Sequence, residues 1–177
     1  MPFWHEIDLD GIGIQTIGSR TRLSYESGPL RFQIPRGYTR YGVGQYKSIT
    51  ISNLEPKFLD WWRKLEDKIL PTQPLKSCLG DYGLRIKVDD TTLVFNSESK
   101  FVADEHFEGY LRDLDLSCIL EIEGTYLYKG VWGASVKAHQ IKFYAPVPKI
   151  PVMEVCEESE TQAAPILKGC AFLDHHL

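Results

Sequence analysis

The chain has 177 residues, of which 43% are hydrophobic and 25% charged, with a formal net charge of −4. That is enough apolar material for the core of one domain. The balance near neutrality excludes a polycation that coats duplex nucleic acid non-specifically, and no run approaches the ~18 apolar residues of a membrane span.

Ile7–Ile17 carries Leu9, Ile12 and Ile14 among Gly11, Gly13 and Gly18, and predicts a first strand or two short ones. Leu30–Ile34 alternates apolar and polar residues, as a half-buried strand does, and Pro35 ends it. Tyr46–Ser52 is β-rich again. Between them runs Arg36–Lys47, with three tyrosines (Tyr38, Tyr41, Tyr46), three cations (Arg36, Arg40, Lys47) and three glycines. Cations suit a phosphate backbone, and flat aromatic faces suit unpaired bases. The competing reading is a glycine-rich turn with solvated arginines.

Asn53–Leu70 predicts an amphipathic helix (about 55–70), with Asn53 as cap and Pro56 in the first turn. Phe58, Leu59, Trp62, Leu65 and Ile69 form its apolar stripe, which assigns Trp62 to the core. Asp60, Arg63, Lys64, Asp67 and Lys68 fill the other face, and Glu66 and Asp67 are read as surface ion partners of Arg63 and Lys64. Tyr82–Val88 alternates, with Leu84, Ile86 and Val88 inward and Arg85 and Lys87 outward. Asp89-Asp90 is read as a turn leading by a hairpin into Thr91–Phe95.

Asn96–Asp115 reads as a polar loop with a short strand or helical turn. Leu116–Glu123 and Thr125–Gly130 read as two strands joined tightly at Gly124, and Gly133–Tyr144 as the last strand. In that last strand Val136 and Ala138 have the opposite parity to Ile141 and Phe143. One extra residue near Gln140 brings all four to one face, so a β-bulge is predicted there. These elements assign residues 1–148 to one mainly β domain. Residues 149–177 hold two lysines and five acidic residues, about −3 of the total charge, and predict a mobile acidic tail.

The four cysteines (Cys78, Cys118, Cys156, Cys170) are widely spaced with no C-x-x-C, which suits a reducing, intracellular compartment and no disulfide framework. Met-Pro-Phe-Trp-His-Glu lacks the basic start and apolar run of a signal peptide. Cys170 with His175 and His176 reads as an ordinary thiol and terminal histidines rather than a zinc site. No cofactor, metal or catalytic residue is predicted. The five histidines are scattered, and the one carboxylate group that could serve two-metal chemistry (Asp104, Glu105, Glu108) lies in a polar loop.

The order of these parts resembles a known family. Leu-x-Phe-Gln-x-Pro is followed by the Gly/Tyr-rich loop, by Ser-Ile-Thr-Ile-Ser, and by a helix of the type Phe-Leu-x-x-Trp-x-x-Leu-Glu-x-x-Ile. Leu-x-Ile-Lys-Val and Lys129-Gly-Val-Trp-Gly-Ala-Ser-Val-Lys-Ala-His-Gln-Ile-Lys-Phe143 come later. Residues 28–145 so resemble the OB-fold single-stranded-DNA-binding proteins of large DNA viruses and phages. The resemblance implies a five-stranded barrel with one inserted helix, which protects single-stranded DNA in replication, recombination and repair without catalysis.

It also implies an acidic tail that covers the DNA groove or recruits a replication partner such as a polymerase or helicase, here through Glu157, Glu158, Glu160, Phe172 and Asp174. The family's tail ends in an aromatic, whereas here Phe172 precedes two histidines. RNA binding and a homodimer formed by tail exchange stay open. The alternative is a β-domain adaptor whose tail makes protein contacts. For a groove in such a barrel, the candidate cations are Arg31, Arg36, Arg40, Lys47, Arg85, Lys87, Lys129, Lys137 and Lys142. The candidate stacking residues are Tyr38, Tyr41, Tyr46, Tyr126, Tyr128 and Trp132, with Trp132 divided between stacking and packing inside the barrel mouth.

Overall fold

A computed structural model describes residues 1–70, 75–102 and 109–144. The fold is mainly β; the described residues form twelve strands in one mixed sheet and a single α-helix. Its spine is an antiparallel ribbon of two long strands, β11 (Leu114–Tyr128) and β12 (Val131–Tyr144). A two-residue turn joins them, with Lys129 and Gly130 both at positive φ (49° and 77°), the geometry that matches the natural twist of a hairpin.

The other strands attach to the two sides of this ribbon. Along β11 pair, in succession, β4 (Gly37–Thr39), β3 (Gly28–Gln33) and β2 (Arg20–Tyr25), all antiparallel. β1 (Gly13–Ile17) adds a further strand beside β2. Along β12 pair, all parallel, β6 (Leu75–Lys76), β8 (Gly83–Lys87) and β9 (Leu93–Phe95). β5 (Ser48–Ile51) pairs antiparallel with β8, as does the short β7 (Leu79–Gly80), while β10 (Phe101–Val102) pairs with β9. A bridge between Tyr38 and Ser52, with N–H···O bonds of 2.9 and 2.8 Å, joins β4 to the end of β5.

Alternation explains which side of each strand is buried. Leu84, Ile86 and Val88 point inward while Arg85 and Lys87 stay exposed, as the sequence pattern predicts. Leu116, Cys118, Leu120 and Ile122 are fully buried on β11. The predicted bulge is present. Ile119 faces Gln140 and Leu120 faces Ala138, so His139 is the extra residue, and Ile141 joins Val136 and Ala138 in the core.

The helix α1 (Pro56–Ile69) buries Phe58, Trp62, Leu65 and Ile69, each contributing roughly 1.5–3 kcal/mol relative to exposure. Phe32, Phe58, Trp61 and Trp62 make edge, tilted and stacked ring contacts with centroids 5.0–6.4 Å apart, joined by Trp4 from the N-terminus.

Five expectations change. Residues 7–12 hold a 3-10 turn (Leu9–Gly11) after an earlier one (Trp4–Glu6), and strand structure starts only at Gly13. Asn53 does not cap the helix. It sits at φ 57°, and Glu55 occupies the cap position without a side-chain bond. Glu66 is not a surface ion partner but is buried, because the chain after the helix folds back over it. Its carboxylate accepts from the Ser77 hydroxyl and, at 2.9 Å, from the Cys78 N–H.

The strands on either side of Gly124 form one continuous strand, not two. Its register shifts there because Gly124 passes so close to β2 that a Cβ would run into the Thr21 carbonyl oxygen. Finally, β8 and β9 form no hairpin. Asp89 turns the chain, accepting from the Thr91 N–H at 2.9 Å, and both strands then pair in sequence with β12.

Candidate nucleic-acid interface

The outward side of β5 and β8 forms the floor of an open trough. Cross-strand partners share a face, so Ser48 with Lys87 and Thr50 with Arg85 present four polar side chains there. One wall is the loop after β4, and its shape follows from its glycines. Gly42, at φ 65°, packs backbone to backbone on residues 109–112, where any Cβ would strike the Tyr110 carbonyl oxygen. The Val43 N–H donates to Tyr110 at 2.8 Å and the Gly109 N–H donates back to Val43 at 2.7 Å. The Gly44 N–H donates to the Ser48 carbonyl at 2.8 Å. With buried Val43 as its anchor, the loop holds Tyr41 and Tyr46 outward, 67% and 75% exposed. The opposite wall is Ser77–Gly83, where Tyr82 is 85% exposed.

The trough has two connected parts of about 530 and 350 Å³, which share Tyr46, Ser48, Ser77, Cys78 and Arg85. Tyr41, Tyr46, Tyr82 and Tyr126 supply aromatic surface, and Lys76, Arg85 and Lys87 supply charge. Among the described residues no aspartate or glutamate lines either part. The Arg85 side chain donates to the Ser48 hydroxyl at 3.1 Å, and among the described residues neither it nor Lys87 has an ion-pair partner. Cys78 lies in this lining. Burial first, and then the Glu66 carboxylate, push its thiol up to about 12, so it stays protonated.

The predicted cations divide into three groups. Arg85, Lys87, Arg40 and Lys129 have no carboxylate partner among the described residues. Arg40 lies over the Tyr41 ring at 5.5 Å and Lys129 over the Tyr128 ring at 5.2 Å. Tyr128 and Lys129 are exposed at the β11–β12 turn, away from the two trough parts.

Arg31, Arg36, Lys47 and Lys137 are already neutralised. Arg31 pairs with Glu121 at 2.6 Å, Arg36 with Asp115 at 3.0 Å and Lys47 with Asp90 at 2.7 Å, and Lys137 pairs with Glu123 at 3.0 Å. Lys142 forms the third group and corrects its prediction. It is 2% exposed, at a point where β12 is flanked on both sides, by Ser117 of β11 and Phe95 of β9.

Among the aromatics, Trp132 is half-buried, with part of its surface packed against the core. Tyr38 lies away from the trough. Its hydroxyl donates to Asp113 at 2.9 Å, and that bond raises the phenol pKa. Two trough residues escape sequence reasoning, Lys76 and Tyr82. Tyr82 had a signal, since a tyrosine between Gly80-Asp81 and Gly83 at a turn has little apolar surface to fold against. Glu157, Glu158, Glu160, Phe172, Asp174 and the Asp104–Glu108 carboxylates lie outside the described residues. Among the described residues no group of three His, Cys, Asp or Glu side chains could hold a metal ion, and no helix is long and apolar enough to cross a membrane.

Neither a protein-family model nor a curated protein matches this chain.

Proposed function

We propose that this chain binds single-stranded DNA independently of sequence, in replication, recombination or repair, and acts by binding rather than catalysis. The observation that carries the reading is the trough over β5 and β8. Among the described residues it has four exposed tyrosines, three cations without carboxylate partners, and no acidic lining. Stacking platforms beside a cationic track are what an unpaired strand requires, and every base has a face to stack.

We further propose that the sheet is an OB-type barrel. In support, the pairings run from β4 through β5, β8, β12 and β11 back to β4, with β8 and β12 parallel and the other neighbours antiparallel. In that fold the face of the second and third strands, flanked by the first and last inter-strand loops, binds oligonucleotides. Here that face is β5 and β8, the first loop holds Tyr41 and Tyr46, and the last holds Tyr128 and Lys129. On this reading the acidic segment 149–177 competes with DNA for the trough or recruits a replication protein.

Fluorescence anisotropy of labelled oligo-dT across a salt series tests the proposal, with duplex DNA and single-stranded RNA as competitors. Salt-sensitive binding that duplex fails to displace supports it, and no binding at low salt rejects it in favour of an adaptor role. RNA that competes as well as DNA widens the ligand to both. In the full chain, glutamine at Glu157, Glu158 and Glu160 is expected to raise affinity; an unchanged affinity rejects tail competition.

A further inference from the structure

The trough does not end at β12. A third concavity of about 640 Å³ continues it across β11 onto β2, sharing Tyr126 and Ser135 with the second part. Two rows of cross-strand partners build the shared region. In the first, Arg20 of β2 faces Tyr126 of β11, which faces Gly133 of β12. Gly133 lets the Tyr126 ring lie close over bare backbone, since a Cβ there would sit 2.9 Å from the ring and push it aside. The Tyr126 side chain stays exposed. In the second row, Arg22 faces Gly124, which faces Ser135.

Arg20 and Arg22 are exposed, and neither has an ion-pair partner among the described residues. Among the described residues the one acidic residue of this concavity is Glu123, already held by Lys137 at 3.0 Å and by the Ser135 hydroxyl at 2.8 Å.

Resting on the single-strand reading above, we infer that the β1–β2 hairpin is a second binding segment for the same strand. The Tyr126 ring receives a base, and Arg20 and Arg22 neutralise the phosphates that follow it. The hairpin thereby lengthens the footprint beyond β5 and β8 and makes affinity depend on oligonucleotide length.

The test compares wild type with Arg20→Ala/Arg22→Ala on labelled oligo-dT of about 6 and about 15 nucleotides, spanning the ~4–16 nucleotides a single OB domain engages. Both arginines are exposed, and the short oligonucleotide together with circular dichroism reports on folding. The expected result is unchanged affinity for the short strand. For the long strand we expect a loss on the order of tenfold, with the salt slope reduced by about 1.4, which is two contacts at ~0.7 each. Equal weakening at both lengths, or none at the long one, overturns the hairpin segment while leaving the trough intact. Wild type that binds neither length overturns the trough reading and the hairpin with it.

Discussion

Two surfaces of this protein carry nearly the same residue types and differ in one respect. Around β4, Arg36 stacks on Tyr144 at 4.0 Å, and Tyr38 lies beside it. Over β5 and β8, Arg85 and Lys87 lie among Tyr41, Tyr46 and Tyr82. The first surface is held by Asp113 and Asp115, because β4 pairs with residues 114–116 of β11 and brings those carboxylates alongside. Among the described residues no carboxylate lines the second. The comparison teaches that a Tyr/Arg segment keeps its charge open only where its cross-strand neighbours leave it unanswered.

The largest expected effect breaks this comparison if it fails. Alanine at both Tyr41 and Tyr46 should weaken oligo-dT binding by ~1–3 kcal/mol per lost stack, while Tyr38→Ala leaves affinity near wild type. Anisotropy titrations of the three proteins decide it, and equal losses would erase the distinction between the faces. Next in size is Glu66→Ala. It leaves the Ser77 hydroxyl and Cys78 N–H beneath the trough wall without their acceptor and should destabilise the fold by about 1–3 kcal/mol in urea denaturation.

Arg85→Ala/Lys87→Ala should lower the salt slope of binding by about 1.4, whereas Arg36→Ala should scarcely change it. Asp113→Asn/Asp115→Asn sharpens the contrast from the other side. Freed of its partners, the β4 face should add a few-fold of salt-sensitive affinity, measured in the same titration.

The smallest effect concerns His139, at the bulge between the two faces. Burial first, then Arg31 and Lys137, lower its pKa from the ordinary 6.5 against the opposing pull of Glu121. A depressed pKa means that the unfolded state binds the extra proton. Its contribution is therefore present above pH 6.5 and lost as pH falls through the folded value. Thermal unfolding between pH 7.5 and 5 should show a decline that His139→Asn makes shallower.

Local pattern was sufficient where one face of an element meets the core. The stripe of Phe58, Trp62, Leu65 and Ile69, the alternation of Leu84, Ile86 and Val88, and the parity break at His139 are all periodicity signals, and periodicity follows from backbone geometry alone. Pattern failed where the deciding contact comes from elsewhere in the chain. Glu66 reads as a surface residue until Ser77 and Cys78 fold over it, and Gly124 reads as a turn until β2 comes close beside it.

The same division holds for the candidate site. Composition alone singles out the tyrosines and arginines of Arg36–Lys47 and the outward Arg85 and Lys87. Tertiary structure decides which of them keep an open charge. It pairs Arg31 with Glu121 and Arg36 with Asp115, buries Lys142, and sets Arg20 across from Tyr126. The reason is physical. Side-chain direction is written in the local backbone, whereas electrostatic partnership acts over a few ångströms between residues far apart in sequence, and only the fold sets that distance.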